Sequence, residues 1–193
     1  HLEIARLAQL AESYGMAGIW TSNMHDSRDP FINFTEAARV TKSIKLGPVA
    51  VSPYELHPLK MANALLTLNE ISGGRAHIGV GAGDGGTATA MGIKADKRVR
   101  ATRECVEIIE AAATGKPVNY KGGMYTVLYY HSSWVTQPPP DVFVCAGGPQ
   151  MIASSARYAQ GIFVGDHLPH HVARINETIK AERAGAGRTN DDF

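Results

Sequence analysis

Cysteine is scarce in this chain: 193 residues hold two, Cys105 and Cys145, far apart and outside any C-x-x-C or Cys/His ligand spacing. That excludes a disulfide framework and a structural zinc site, and it leaves two buried thiols of a reducing, cytoplasmic compartment. Long apolar runs are missing too, none approaching the roughly 20 residues that a membrane span needs. Charge of one sign is absent: 19 Lys and Arg stand against 18 Asp and Glu, for a net charge of +1 with His neutral. Acids and bases are interspersed, and no basic block is interleaved with aromatics. No global field therefore points to nucleic acid or an anionic membrane. An initiating methionine and a leader are lacking as well. The chain opens on His1-Leu2-Glu3 inside a helical pattern, as a fragment of a longer protein would.

What remains is an ordinary globular composition, 44% apolar and 19% charged, sized for one domain over residues 1–193. Leu2, Ile4, Leu7, Leu10 and Tyr14 recur at helical spacing up to Gly15. A short apolar strand follows at 17–21. Pro30 opens a helix carried by Phe31, Phe34, Ala37 and Ala38. Residues 44–51 read as the next strand, and His57-Pro58 starts a helix that Gly73-Gly74 ends. Residues 76–80 form a third strand, and Val99, Thr102, Val106 and Ile109 mark a long helix stopped by Gly115-Lys116-Pro117. Strand 141–146, helix 150–159, strand 161–164 and a last helix at about 170–184 complete the alternation, with a polar tail over 185–193. Residues 118–140 break this rhythm. Tyr120, Tyr125, Val127 and Tyr129 alternate around Gly122-Gly123, which predicts an antiparallel hairpin outside the main sheet and over the site mouth.

Alternating strands and helices predict a parallel sheet flanked by helices. An open doubly wound sheet and a closed (β/α)8 barrel both fit, and five strands fit a barrel lacking its first strand and its C-terminal ones. In either architecture ligands sit where strands end. Four such ends are chemically rich: residues 20–28, 47–58, 79–86 and 146–149. Their glycines expose bare backbone N–H groups to phosphates or planar rings. Gly81, Gly83 and Gly86 also satisfy G-x-G-x-x-G. Residues 87–94 intervene before the next helical pattern, however, and the acid about 20 residues on, Glu104, falls mid-helix, so the match reads as accidental. Pro48 lacks a ladder donor and interrupts its strand from within, so pairing should break there. Asp166, His167, His170 and His171 form one short cluster. Barrel metal sites draw ligands from several strands, so the cluster reads as a polar pocket wall, with no metal. Arg98, Arg100, Arg103 and Glu104 read as a solvated helix face from which an arginine could reach a phosphate.

The stretch T-L-N-E-I-S-G-G-R-A-H-I-G-V-G-A-G-D, with the His57-Pro58 helix start before it, resembles the luciferase-like monooxygenase family. Ile44-Lys45-Leu46-Gly47-Pro48 and Ser52-Pro53-Tyr54 are similar to its branch dependent on coenzyme F420, a deazaflavin. The resemblance runs over almost the whole chain. It implies an α/β fold of the (β/α)8 TIM barrel type, here incomplete, with an insertion at about 118–140. It also implies an oxidoreductase passing hydride between coenzyme F420 and a small-molecule substrate, with an FMN-dependent monooxygenase and a non-catalytic flavin-barrel homologue as alternatives. A homo-oligomer, a dimer, is implied for the full-length protein. The central ring would lean on a bulge at Pro48, Val49, Ala50 and Val51, with a cis bond at Pro48–Val49 or Val49–Ala50. Gly81, Gly83 and Asp84 would line the ring edge or the tail. Gly147, Gly148 and Pro149, before a helix N-terminus, would hold the phosphate, with Ala146 also against the cofactor. Where the branch has Asp-His, this chain has Asn23 and Met24, both placed against the cofactor. Asn23 and His25, which offers an imidazole one position later, are the catalytic candidates.

Overall fold

The computed structural model describes residues 2–190. The chain runs α1 (Leu2–Ser13), β1 (Gly18–Thr21), α2 (Pro30–Val40), β2 (Lys45–Val51), α3 (Pro58–Ser72), β3 (Ile78–Gly81), α4 (Gly85–Ala90) and α5 (Arg98–Ala113). It continues through β4 (Pro117–Lys121), β5 (Thr126–His131), β6 (Val142–Cys145), α6 (Pro149–Ala156), β7 (Gly161–Phe163) and α7 (Pro169–Gly185). Proline opens α2, α3, α6 and α7 within the first turn, where its missing N–H costs nothing and its fixed φ suits the helix. Asp29 caps α2 by accepting from the Ile32 N–H at 2.9 Å, and α3 ends on Gly73 at φ +67°, the left-handed turn that glycine adopts freely. The polar tail expected over 185–193 begins on the last residue of α7, and residues 191–193 lie outside the described residues.

Five strands form one parallel sheet in the order β1-β2-β3-β6-β7, with β1 and β7 at its edges. Each strand lies beside its predecessor, so the order has no reversal and no crevice of the doubly wound kind. That observation decides between the two architectures left open by periodicity. The short α4 corrects one step of the reading of G-x-G-x-x-G, since a helix does start inside that motif. The motif remains unlike a dinucleotide fingerprint because α4 has six residues and no topological switch adjoins it.

The sheet's two faces differ as barrel walls do. Leu46, Ile78, Val80, Val142 and Val144 are buried outward against Phe34, Met61, Leu65, Cys105 and Ile109 of the helical layer. The inner face carries Trp20, Phe143 and Phe163; Trp20 packs edge-on against both phenylalanines, 4.8 Å between centroids for Trp20 and Phe163, and the two phenylalanine rings are tilted to each other. Glycines make room for them: a Cβ on Gly47 would sit 2.8 Å from the Trp20 ring.

β4 and β5 pair antiparallel over the stretch that breaks the alternation. The hairpin does not cover the mouth of the sheet, contrary to expectation. Val118 and Val127 bury on Ile108 of α5, Tyr130 Oη donates to Asn63 Oδ1 on α3 at 2.7 Å, and Tyr125 Oη donates to the Pro53 carbonyl at 3.0 Å. Its apolar face needed a helical wall, and α3 with α5 supplies one. Glu104 is a further correction: it is 2% exposed, not solvated. Its carboxylate accepts the N–H groups of Gly123, Met124 and Tyr125 at 2.8, 2.8 and 3.0 Å and so fastens the hairpin turn to α5.

Candidate active site

All five parallel strands deliver their C-terminal ends to one concave surface, where a cavity of about 550 Å³ opens. Asn23 and Met24 after β1, Val49 and Ala50 of β2, Gly81, Gly83 and Asp84 after β3, and Ala146 and Gly147 after β6 all line it. The cavity wall is thus mostly backbone and small side chains.

The bulge in β2 is what builds one side. Pro48 keeps register with Thr21 on β1, so the break falls one residue later than the proline chemistry alone suggested. On the β3 side the register shifts between Val49 and Val51, and the Val49–Ala50 peptide bond is cis. The shift places two consecutive side chains, Val49 and Ala50, on the inner face, while Val51 returns to the core at 2% exposure. Gly81 lies directly opposite: a Cβ there would come within 2.8 Å of the Ala50 Cβ. Pro48 itself is buried in the strand and does not line the cavity.

Asn23 Nδ2 donates to Glu55 Oε2 at 2.8 Å. His25 has its Nδ1 3.3 Å from Thr87 Oγ1 on α4 and is not among the lining residues, though it is near enough for its charge to lower the carboxyl pKa of both Glu55 and Asp84. Asp84 caps α4, its oxygens accepting from the Gly86 and Thr87 N–H groups at 2.8 and 2.9 Å. Hydrogen bonds from Thr87 and Gly86 hold its carboxyl down at about 2, so it is ionised at any physiological pH. Burial pushes the Cys145 thiol up to about 12, so this cavity residue is no thiolate nucleophile.

Gly148 and Pro149 sit one step outward, in an adjoining cavity of about 530 Å³ that shares Ala82, Gly83, Cys145 and Gly147 with the first. No side chain caps α6 at Gly148, and Cβ atoms built on Gly147 or Gly148 would meet nothing within 4 Å. A ligand can thus approach that helix N-terminus closely, as an anion favours. Arg98 lines the same adjoining cavity, and Lys97, Arg100 and Arg103 extend the basic wall along α5. The cluster after β7 divides: Asp166 faces the first cavity, while His167 and His171 line a cleft of about 400 Å³ beside Arg174 that shares Gly147 with it. Among the described residues no three His, Cys, Asp or Glu side chains gather as metal ligands.

Glu55 is the site residue that sequence reasoning missed. The signal was present: an acid stands between Pro53 and Pro58, inside a strand-end run otherwise without charge until His57. Phe163 and Gly165 also line the cavity unannounced, since only the closing of the strands into a curved sheet brings them there.

A parallel α/β sheet curved into part of a (β/α)8 barrel, with a glycine-walled cavity at its strand ends and a bulge beside it, is the architecture of a cofactor-binding barrel. The family model described as luciferase-like monooxygenase matches residues 2–193, and the chain belongs to that family. It is 33% identical to the 5,10-methylenetetrahydromethanopterin reductase of Archaeoglobus fulgidus, in a match covering 100% of this chain and 58% of the relative. The solved coenzyme F420 dependent tetrahydromethanopterin reductase from Methanopyrus kandleri is similar at a TM-score of 0.90 and 30% identity, over 99% of this chain and 60% of that one. An F420-dependent secondary alcohol dehydrogenase in complex with an F420-acetone adduct shares the fold at a TM-score of 0.90 and 19% identity, over 100% and 62% of the two chains. The chain thus spans about three-fifths of the length of these relatives. Among the described residues no helix is long and apolar enough to cross a membrane.

Proposed function

We propose that this chain belongs to an oxidoreductase that passes hydride between coenzyme F420 and a small organic substrate. The observation that carries the reading is the pair of adjoining cavities: the Val49–Ala50 bulge with bare Gly81 borders one, the uncapped start of α6 borders the other, and Gly83 lines both. Relatives named for coenzyme F420 support the choice of cofactor.

When bound, the deazaflavin supplies the hydride chemistry, and the protein supplies position and electrostatics. Val49 and Ala50 would back the ring, with Gly81 and Gly83 allowing flat approach from the β3 side. Gly147 and Gly148 would hold the phosphate through their backbone N–H groups, with Ala146 and Pro149 shaping the wall on either side, and Arg98 adds positive charge there. Asn23 and Met24 would close the β1 side. Phe163, packed with Trp20 and Phe143, adds an aromatic surface to the cavity.

Titration of the purified protein with coenzyme F420 and, separately, with FMN tests the reading through the change in each cofactor's visible absorbance. Saturable binding of coenzyme F420, weakened by a Gly147→Asp charge at the α6 start, is expected. Preference for FMN would turn the reading toward the monooxygenases that give the family its description. Binding of neither would leave a non-catalytic barrel.

A further inference from the structure

We propose that Glu55 is the general acid of this site, giving its proton to the nitrogen or oxygen bonded to the carbon that receives hydride. The proposal rests on the hydride-transfer reading above and adds the residue that completes it. Two carboxyl groups with opposite surroundings, Glu55 and Asp84, line the cavity near the bulge. Asp84 has both oxygens engaged by the backbone of α4 and stays ionised. Glu55 is half-buried, and one oxygen, Oε2, takes a single hydrogen bond from Asn23. Its Oε1 lies beside Gly83, 3.1 Å from where a Cβ on that glycine would be. Burial pushes its carboxyl upward; the Asn23 bond works against that, the negative charge of Asp84 adds to it, and His25 opposes. Among the described residues, Asp166 is the remaining charged group lining the cavity, and no Lys or Arg lines it. When two carboxyl environments diverge in this way, the one whose charged form is disfavoured is the candidate acid.

Position agrees with the role. The Glu55 N–H donates to the Ser52 carbonyl at 3.1 Å, a turn that begins directly after the bulge and swings the side chain back over the cavity. Asn23, at the position where the family's branch carries Asp-His, cannot supply a proton from its amide, whereas it does orient Glu55. In the reaction, hydride leaves reduced deazaflavin with its electron pair and bonds to the substrate carbon. The electron pair of that carbon's bond to nitrogen or oxygen moves onto the heteroatom, which takes the proton from the Glu55 O–H. The carboxylate left behind regains a proton from water, and the oxidised deazaflavin releases its ring N–H proton to solvent.

Glu55→Gln keeps the shape and the acceptor for Asn23 but cannot give the proton. With reduced coenzyme F420 and 5,10-methylenetetrahydromethanopterin as the probe substrate, kcat is expected to fall by about 10²–10⁴-fold, with coenzyme F420 affinity within about twofold of the parent. The rate of the parent should fall as pH rises through the Glu55 pKa, and Glu55→Gln should lose that limb while Glu55→Asp partly restores it. Independently of turnover, carbon NMR of labelled glutamate carboxyls should show one group titrating above the others, absent from Glu55→Gln. An unchanged rate and pH limb in Glu55→Gln, or a Glu55 carboxyl titrating with the ordinary glutamates, overturns the role while leaving the cofactor reading intact. Failure of the parent to bind coenzyme F420 overturns the cofactor reading and this proposal together.

Discussion

Removing the Glu104 carboxylate should unfasten the hairpin from α5. Glu104 is 2% exposed, and its two oxygens accept three backbone N–H groups at 2.8, 2.8 and 3.0 Å. A hydrogen bond to a charged group contributes about 1.5–3 kcal/mol, but three bonds on one carboxylate do not add in full. Glu104→Ala leaves three donors in a site that excludes water and is expected to cost about 3–5 kcal/mol. Glu104→Gln retains one acceptor oxygen and turns an NH2 group toward the remaining donors, for about 1.5–3 kcal/mol. The pH dependence has a definite sign. Burial alone would raise this carboxyl, yet the N–H groups of Met124, Gly123 and Tyr125, with Arg100 nearby, outweigh it and hold the pKa below its usual 4.5. The stabilisation is therefore complete above the unfolded-state value and fades as pH falls through the folded-state one. Urea unfolding of the parent and both variants, at neutral pH and in acid, measures the loss. Amide hydrogen exchange at Gly123, Met124 and Tyr125 reports whether it is local. A Glu104→Ala protein within about 0.5 kcal/mol of the parent, with those amides still protected, would refute the reasoning.

Arg75, the arginine of the S-G-G-R run, donates to the carbonyls of Ser72, Ile44, Ala38 and Thr41 and to Thr41 Oγ1 at 2.7–3.1 Å. Arg75→Lys cannot reproduce that planar fork and should lower the urea-derived stability by about 2–4 kcal/mol; an unchanged midpoint contradicts this. Glu12 accepts the N–H groups of Lys42, Ser43 and Ile44, and the bonds from Ser43, Ile44 and Lys42 hold its carboxyl at about 2. Its contribution is present above the usual carboxylate range and is lost as pH falls toward about 2, so Glu12→Gln should flatten the acid side of a Tm–pH profile; parallel profiles exclude it. Gly81→Ala puts a methyl group 2.8 Å from the Ala50 Cβ. Overpacking there costs about 1–3 kcal/mol, and if that falls on the bound state it weakens coenzyme F420 binding by about 5- to 150-fold with the far-UV spectrum unchanged; binding at parental affinity shows that the bulge does not shape the cofactor site.

Most of the fold was legible because period and punctuation agree. Apolar residues at helical spacing, proline at helix starts and glycine at helix ends set the helices, and short apolar runs between them could only be buried strands. The five parallel strands and the antiparallel pair follow from the chain alone, as does an irregularity in β2, where proline sits inside a strand. The clustering of Asn23, Met24, Val49, Ala50, Gly81, Gly83, Asp84, Ala146 and Gly147 around one cavity was foreseeable for the same reason, since parallel strands must point their ends one way. The small α4 was not legible, because Gly85-Gly86-Thr87 carries no helical period and the helix rests on the Asp84 cap.

Side-chain partnerships across elements needed the tertiary structure. Periodicity tells which face of α5 is apolar but not that three hairpin amides arrive beside Glu104, a contact closed from about 20 residues away in sequence. His25 and Glu55 show the same limit within one site. As residue types either could carry a proton, and only packing turns His25 toward Thr87 while Asn23 draws Glu55 to the cavity wall. The sheet's curvature brings Phe163, Gly165 and Asp166 opposite Asn23, which no local pattern encodes. Local sequence determines the backbone's conformational choices residue by residue. Burial, and with it the protonation and reach of a side chain, depends on what distant segments bring alongside it.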